Sequence, residues 1–125
     1  MIKLMFCLRR LPHLSLAEFQ DYWLGTHGPL VRSVAGVLRI RRYVQSHAIA
    51  DPRLEGLGAA RGLVVAPYDG VAELWFDDIA AVLASGETEE GRAAGQLLLE
   101  DERRFIDLAQ SPLYFVHEKV VVGEG

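Results

Sequence analysis

Residues 2–8 read IKLMFCL, and strand alternation sets Ile2, Leu4, Phe6 and Leu8 on one face while Met5 and Cys7 keep the other face apolar too. A strand with two apolar faces needs cover on both, so it belongs inside a sheet rather than at a wetted surface. At 125 residues, half of them hydrophobic, the chain is expected to form one domain over residues 1–125. A core of that size needs neither disulfides nor structural metals. The lone Cys7 agrees, since one thiol makes no internal bridge.

Beyond Pro12, Ser15 and Glu18 form a capping-box pattern ahead of Leu16, Phe19 and Trp23, which predicts a first helix from about Ser15. That helix is not expected to run through residues 25–29. Gly28 precedes a proline, and Pro29 suits the first turn of a new short helix over 29–35. A period of two returns over 37–47, placing Leu38, Ile40, Arg42 and Val44 against Arg39, Arg41, Tyr43 and Gln45.

Residues 50–67 are rich in Gly and Ala without clear periodicity, and read as a lid, a partner-contacting arm or a partly disordered stretch. Tyr68, Asp69 and Gly70 make a turn into a third strand over 71–76, with Glu73 and Trp75 on one face. Asp77 is the expected cap of a helix holding Ile79, Val82 and Leu83. Thr88 caps a longer helix to about residue 109, whose seam is Ala94, Leu98, Asp101, Phe105 and Leu108. A fourth strand is expected over 113–122.

Strand, helix, strand, strand, helix, strand is the order of a ferredoxin-like βαββαβ sandwich, an α+β fold with helices on one face of a four-stranded antiparallel sheet. The other face would show water an apolar patch of interface size, which predicts a homodimer with sheets packed face to face.

Thirteen Lys and Arg against 17 Asp and Glu leave a formal charge of -4, the wrong sign for neutralising phosphates, so no nucleic-acid partner is expected. The apolar run before Arg9 is too short for a leader or a membrane span, which suggests a cytoplasmic protein with no membrane partner. The four histidines stand 14, 20 and 70 residues apart without HxH, HxxxH or CxxC pairs, so no metal is expected. There is no phosphate loop in its strand-to-helix context and no GxSxG elbow, and no cofactor is expected.

His27 lies one helical turn beyond Trp23, where helix-end carbonyls favour imidazolium and aromatic burial favours the neutral ring. It reads either as a helix stop or as a general acid or base. Tyr43, Gln45 and His47 share a strand face that would either orient a polar aromatic ligand or face solvent. Asp101 stands where the seam calls for an apolar residue, so it is paired, neutral, or out of register. If buried and facing His27 or Tyr43, it completes an acid–base element. Glu73, beside Trp75, has the same ambiguity. Trp23, Trp75, Phe19 and Phe115 would supply an aromatic lining.

Taken in order, FCLRR, FQDYWLGTHGPL, RRYVQSH, YDGVAELWFDD, EDERRFID and LYFVHEKVV resemble the EthD-domain proteins of the dimeric α+β barrel superfamily. The resemblance implies a ferredoxin-like protomer, dimerisation into a barrel, and a pocket between sheet and helices. It carries the HGPL histidine to His27, the strand pair to Tyr43 and Gln45, the acid of the YDG turn to Asp69, and the helical acid to Asp101. Similar proteins include fungal dehydratase or decarboxylase components and lactone isomerases, and related barrels include cofactor-free monooxygenases and haem-degrading enzymes.

The expected function is a cofactor-independent lyase or isomerase acting on a small cyclic or aromatic carbonyl compound. His27 and Asp101 are the candidate catalytic pair. Trp23, Tyr43, Gln45, His47, Asp69, Glu73, Trp75 and Phe115 are the candidate binding residues. The alternatives are a small-molecule binding dimer without chemistry, and a monooxygenase or haem-linked protein using His27 or His117.

Overall fold

The computed structural model describes residues 1–124. Strand β1 (Ile2–Leu8) is interior, flanked by β3 (Gly70–Phe76) and β4 (Leu113–Val116), while β2 (Arg42–His47) pairs with the far side of β3. The order β2-β3-β1-β4, antiparallel at every pairing, is that of a ferredoxin-like α+β sandwich.

Register assigns the faces. Leu4 stands opposite Leu74, Phe6 opposite Ala72 and Leu8 opposite Gly70, on the side that packs under the helices. Lys3 opposite Trp75 and Met5 opposite Glu73 look the other way. On that face Lys3 Nζ lies 3.5 Å from Glu73 and 3.6 Å from Glu118, and Trp75 Nε1 donates to Glu118 at 2.5 Å. Half-exposed Tyr114 joins it from β4, opposite Met5.

Helix α1 (Leu16–Tyr22) starts at Ser15 with both capping-box bonds, Glu18 N–H to Ser15 Oγ at 3.0 Å and Ser15 N–H to Glu18 Oε1 at 2.9 Å. The predicted break after it is absent. The chain passes from α1 through a π-helical turn, Trp23–His27, directly into α2 (Gly28–Val34), and Gly28 keeps right-handed helical angles in spite of Pro29. The wider turn absorbs the proline.

Other boundaries also differ from expectation. Residues 37–41 are not strand: Arg39 takes a positive φ of 59° and Ile40 N–H bonds back to Ala35, so the chain turns before β2 begins. Asp78, not Asp77, caps α4 (Ile79–Ala84) by accepting from Ala81 N–H at 2.8 Å, while Asp77 pairs with Arg41. Helix α5 follows its Thr88 cap but ends at Glu102 (Glu89–Glu102). Tight backbone bonds from Arg104 to Asp101 and from Phe105 to Glu102 then turn Phe105 and Ile106 into the core. β4 stops at Val116, six residues short of prediction. Residues 50–67 form only the short turn Pro52–Leu54 and helix α3 (Gly56–Ala59), with Leu57, Leu63 and Val64 exposed.

The core is Leu8, Phe19, Trp23, Ala72, Phe105 and Ile106, the knot where α1, the end of α5 and the sheet meet. Truncating one such aromatic to Ala costs about 3–5 kcal/mol in well-packed interiors. No helix among the described residues is long and apolar enough to cross a membrane.

Candidate active site

In an ideal α-helix, positions four apart drift by about 40° around the axis, so Phe19, Trp23 and His27 would swing progressively off the core. The π-turn rotates less per residue and cancels that drift. All three are buried, with exposures of 0, 1 and 5%. The turn carries its own lock, since Trp23 carbonyl accepts both Gly28 N–H and, at 2.9 Å, Gln45 Nε2 from β2.

His27 meets Asp101 here. Its Nδ1 lies 2.8 Å from Asp101 Oδ2, and the other carboxylate oxygen accepts from Tyr22 Oη at 2.6 Å. Asp101 is 6% exposed, and its helix-seam position, anomalous for an acid, is filled by a carboxylate with both oxygens in use. Arg104 Nη1 stands 3.8 Å from Oδ1 on the outer side. The carboxylate fixes the imidazole tautomer with the proton on Nδ1, leaving Nε2 as the basic nitrogen. Burial pushes the His27 pKa below its usual value against the opposing pull of Asp101, so the ring is neutral at pH 7. Among the described residues Nε2 has no hydrogen-bond partner.

His27 lines a cavity of about 240 Å³ between sheet and helices. Leu4, Phe6 and Leu74 form its floor, Val31, Leu98 and Ile106 its roof, and Trp23 and Tyr43 one end. Tyr43 Oη accepts from Trp23 Nε1 at 3.1 Å and from Gln45 Nε2 at 3.0 Å. With two bonds arriving at its oxygen, its own proton is free to be donated to an occupant. Burial raises the Tyr43 pKa, which keeps that proton on at neutral pH.

The remaining candidates divide. Gln45 is fully engaged as a brace, its amide nitrogen on Trp23 carbonyl and Tyr43 and its oxygen 2.9 Å from His47 Nε2. His47 stacks on Trp23 with centroids 4.5 Å apart, behind the cavity wall. Asp69 pairs with the Arg10 guanidinium and accepts Arg10 N–H at 2.8 Å, which holds the turn that brings Gly70 beneath Trp23. Glu73 and Trp75 lie on the opposite sheet face, away from His27. Phe115 shares Leu4's face but packs at the sheet edge against Phe76, with centroids 6.3 Å apart. The structure thus brings together His27, Asp101, Trp23 and Tyr43, with Gln45 and His47 bracing them.

Two residues at the site had no role in the sequence reading. Tyr22 was visible only as one aromatic among several. Glu102 lines the cavity from the end of α5, and beside Asp101 in an EDE run it looks like a solvated charge. Its place next to the seam was the available signal. No cluster of three His, Cys, Asp or Glu side chains suited to a metal ion occurs among the described residues.

Comparison with known proteins places these elements. The EthD domain model matches residues 11–109. An EthD family protein from Bacillus halodurans superposes with a TM-score of 0.61 at 22% identity, over 95% of this chain and 99% of that one. An EthD-like protein from Ralstonia eutropha gives 0.60 at 16% identity, over 98% and 94%. A dimeric protein of unknown function and ferredoxin-like fold from Bacteroides fragilis gives 0.56 at 11% identity, over 94% and 95%. At these identities the likeness is one of fold. No curated protein matches the chain.

Proposed function

This chain belongs to the EthD-domain family, and we propose that it is an acid–base lyase or isomerase for a small, mainly apolar carbonyl compound, with proton transfers carried by its own side chains. The observation that supports this reading is the 2.8 Å bond from His27 Nδ1 to buried Asp101, with the ring lining an apolar cavity. His27 Nε2 is the base, Asp101 holds its tautomer and stabilises the imidazolium that forms, and Tyr43 donates to the substrate's oxygen. Tyr22 keeps the second Asp101 oxygen satisfied, so that the carboxylate stays aimed at the histidine.

The test is carbon-bound hydrogen exchange in D2O, followed by NMR, with 2-tetralone and 1-indanone as probes. The expected result is exchange faster than in buffer and reduced at least 100-fold in His27→Asn. Exchange no faster than in buffer with either ketone, or unchanged in His27→Asn, overturns the reading.

The active form is proposed to be a homodimer joined through the sheet face that carries Met5, Trp75 and Tyr114. Support comes from the half-exposed Tyr114 on that face and from the ferredoxin-like relative of Bacteroides fragilis, itself described as dimeric.

A further inference from the structure

Asp101 and Glu102 are consecutive, yet about 100° apart around α5. Asp101 turns toward Tyr22 and His27, while Glu102 turns into the cavity. Its carboxyl group has no hydrogen-bond donor and no cationic partner among the described residues. Among the described residues no Lys or Arg lines the cavity, and its other polar lining groups are His27, Tyr43, Ser85 and Trp23, whose indole N–H is spent on Tyr43. Ser85 Oγ is spent on the Val82 carbonyl.

An ionised carboxylate in such a place is strongly disfavoured. Burial, with the charge of Asp101 adding to it, pushes the Glu102 carboxyl up to about 7. The titratable groups that share the cavity with it are His27 on the π-turn and Tyr43 on β2, and the charge of Asp101 acts on it from the preceding position of its own helix. The sheet floor and α2 contribute only apolar lining. With His27 neutral, the cavity pairs an uncharged base with a carboxyl group that is about half protonated at pH 7 and more so below it.

We propose that Glu102 is the second proton-transfer group of this cavity, a neutral carboxylic acid that protonates the carbonyl oxygen of an uncharged, predominantly apolar ketone or lactone while His27 Nε2 takes a proton from the adjacent carbon. This rests on the acid–base reading above and gives it a substrate class. The carbon–hydrogen bond breaks, its electron pair forms the enol double bond, and the carbonyl π pair takes the proton of Glu102. The enol stands between an imidazolium paired with Asp101 and a Glu102 carboxylate. Return of the imidazolium proton to the same carbon restores the substrate, and its delivery to the far carbon of a conjugated dienol moves the double bond. In either case the enol proton goes back to Glu102, both groups are regenerated, and no oxidant or reductant is needed. Without a lining cation the cavity rejects carboxylates and phosphates. Its 240 Å³ lies below the roughly 300–1,000 Å³ of drug-sized sites, which limits the occupant to one or two rings.

The test begins with protein carrying ¹³C at the glutamate carboxyl carbons. The Glu102 resonance, assigned by its loss in Glu102→Gln, should titrate near neutrality, and titration in the ordinary carboxylate range overturns the proposal without any ligand. Binding of 2-tetralone and 2-naphthoate is then compared by calorimetry at pH 5.5 and pH 9. The ketone should bind at least tenfold tighter at the lower pH, with that difference gone in Glu102→Gln, and naphthoate should bind more weakly. No binding of the ketone, or a preference for naphthoate, overturns the substrate class. Exchange of 2-tetralone separates the two readings: loss in His27→Asn but not in Glu102→Gln removes Glu102 and leaves His27 standing. A neutral-range Glu102 with no exchange in the wild type removes proton transfer by both.

Discussion

Trp23 lies against Gly70 so closely that a methyl group on Gly70 would stand 2.4 Å from Cζ3 of the indole and 2.8 Å from Cη2. Both are on rigid elements, the π-turn and the start of β3, so neither yields freely. Gly70→Ala is expected to cost about 1–3 kcal/mol through overpacking, read from urea denaturation. It should also shift tryptophan emission, because the displaced indole loses its bond to Tyr43.

Tyr22→Phe removes one bond to a buried carboxylate and leaves the other. The expected loss is about 1.5–3 kcal/mol of stability, as for hydrogen bonds to charged groups. Since His27 keeps its partner, ketone exchange should fall far less than in His27→Asn. A fall of equal size would make Tyr22 a participant rather than a brace.

Asp101→Asn keeps the shape but removes the charge that opposes burial at His27. The His27 pKa, already low, should fall further, visible in ¹⁵N NMR of the imidazole. Exchange of the ketone probes should drop by roughly 10²-fold or more, since the imidazolium then forms without its counter-charge.

Glu102 makes stability depend on pH. Its folded pKa, about 7, lies above the ordinary 4.5, so the folded state binds the proton more tightly. The stability this contributes is complete at low pH and is lost as pH rises from about 4.5 through about 7, a change of about 3 kcal/mol. His27 acts in the opposite sense, because its lowered pKa means that stability is lost as pH falls below 6.5. Denaturation of Glu102→Gln should therefore leave only the rising, histidine-type limb, and a wild-type difference that stays flat from pH 5 to 8 would contradict this assignment.

The proposed interface has a direct measurement. Tyr114→Asp adds a charge to the sheet face opposite Met5 and is expected to shift sedimentation from dimer to monomer at micromolar concentration. A wild-type monomer would remove the interface.

The strand and helix order was legible because local patterns and tertiary packing agree: alternation in IKLMFCL, a capping box at Ser15, and Thr88 ahead of a helical seam. Asp101 was legible as an acid in an apolar seam. The continuity of α1 into α2 was not, because Gly28-Pro29 signals a break locally while the hold on Trp23 carbonyl comes from Gln45, on another element. The sorting of Glu73 and Trp75 away from His27 depends on which sheet face receives the helices, and alternation alone does not say. Glu102 was missed for a related reason. One helical step separates it from Asp101, and only the packed structure tells that this step leads into a cavity instead of water.

The π-turn imposes a constraint of length rather than of identity. Leu24, Gly25 and Thr26 are exposed, so exchanging them for other residues should be tolerated. Removing any one of them would convert the turn to a regular helix and wind everything after it by about 100°, carrying His27 away from Asp101. Insertions and deletions here are therefore expected to be lethal to the site where substitutions are silent.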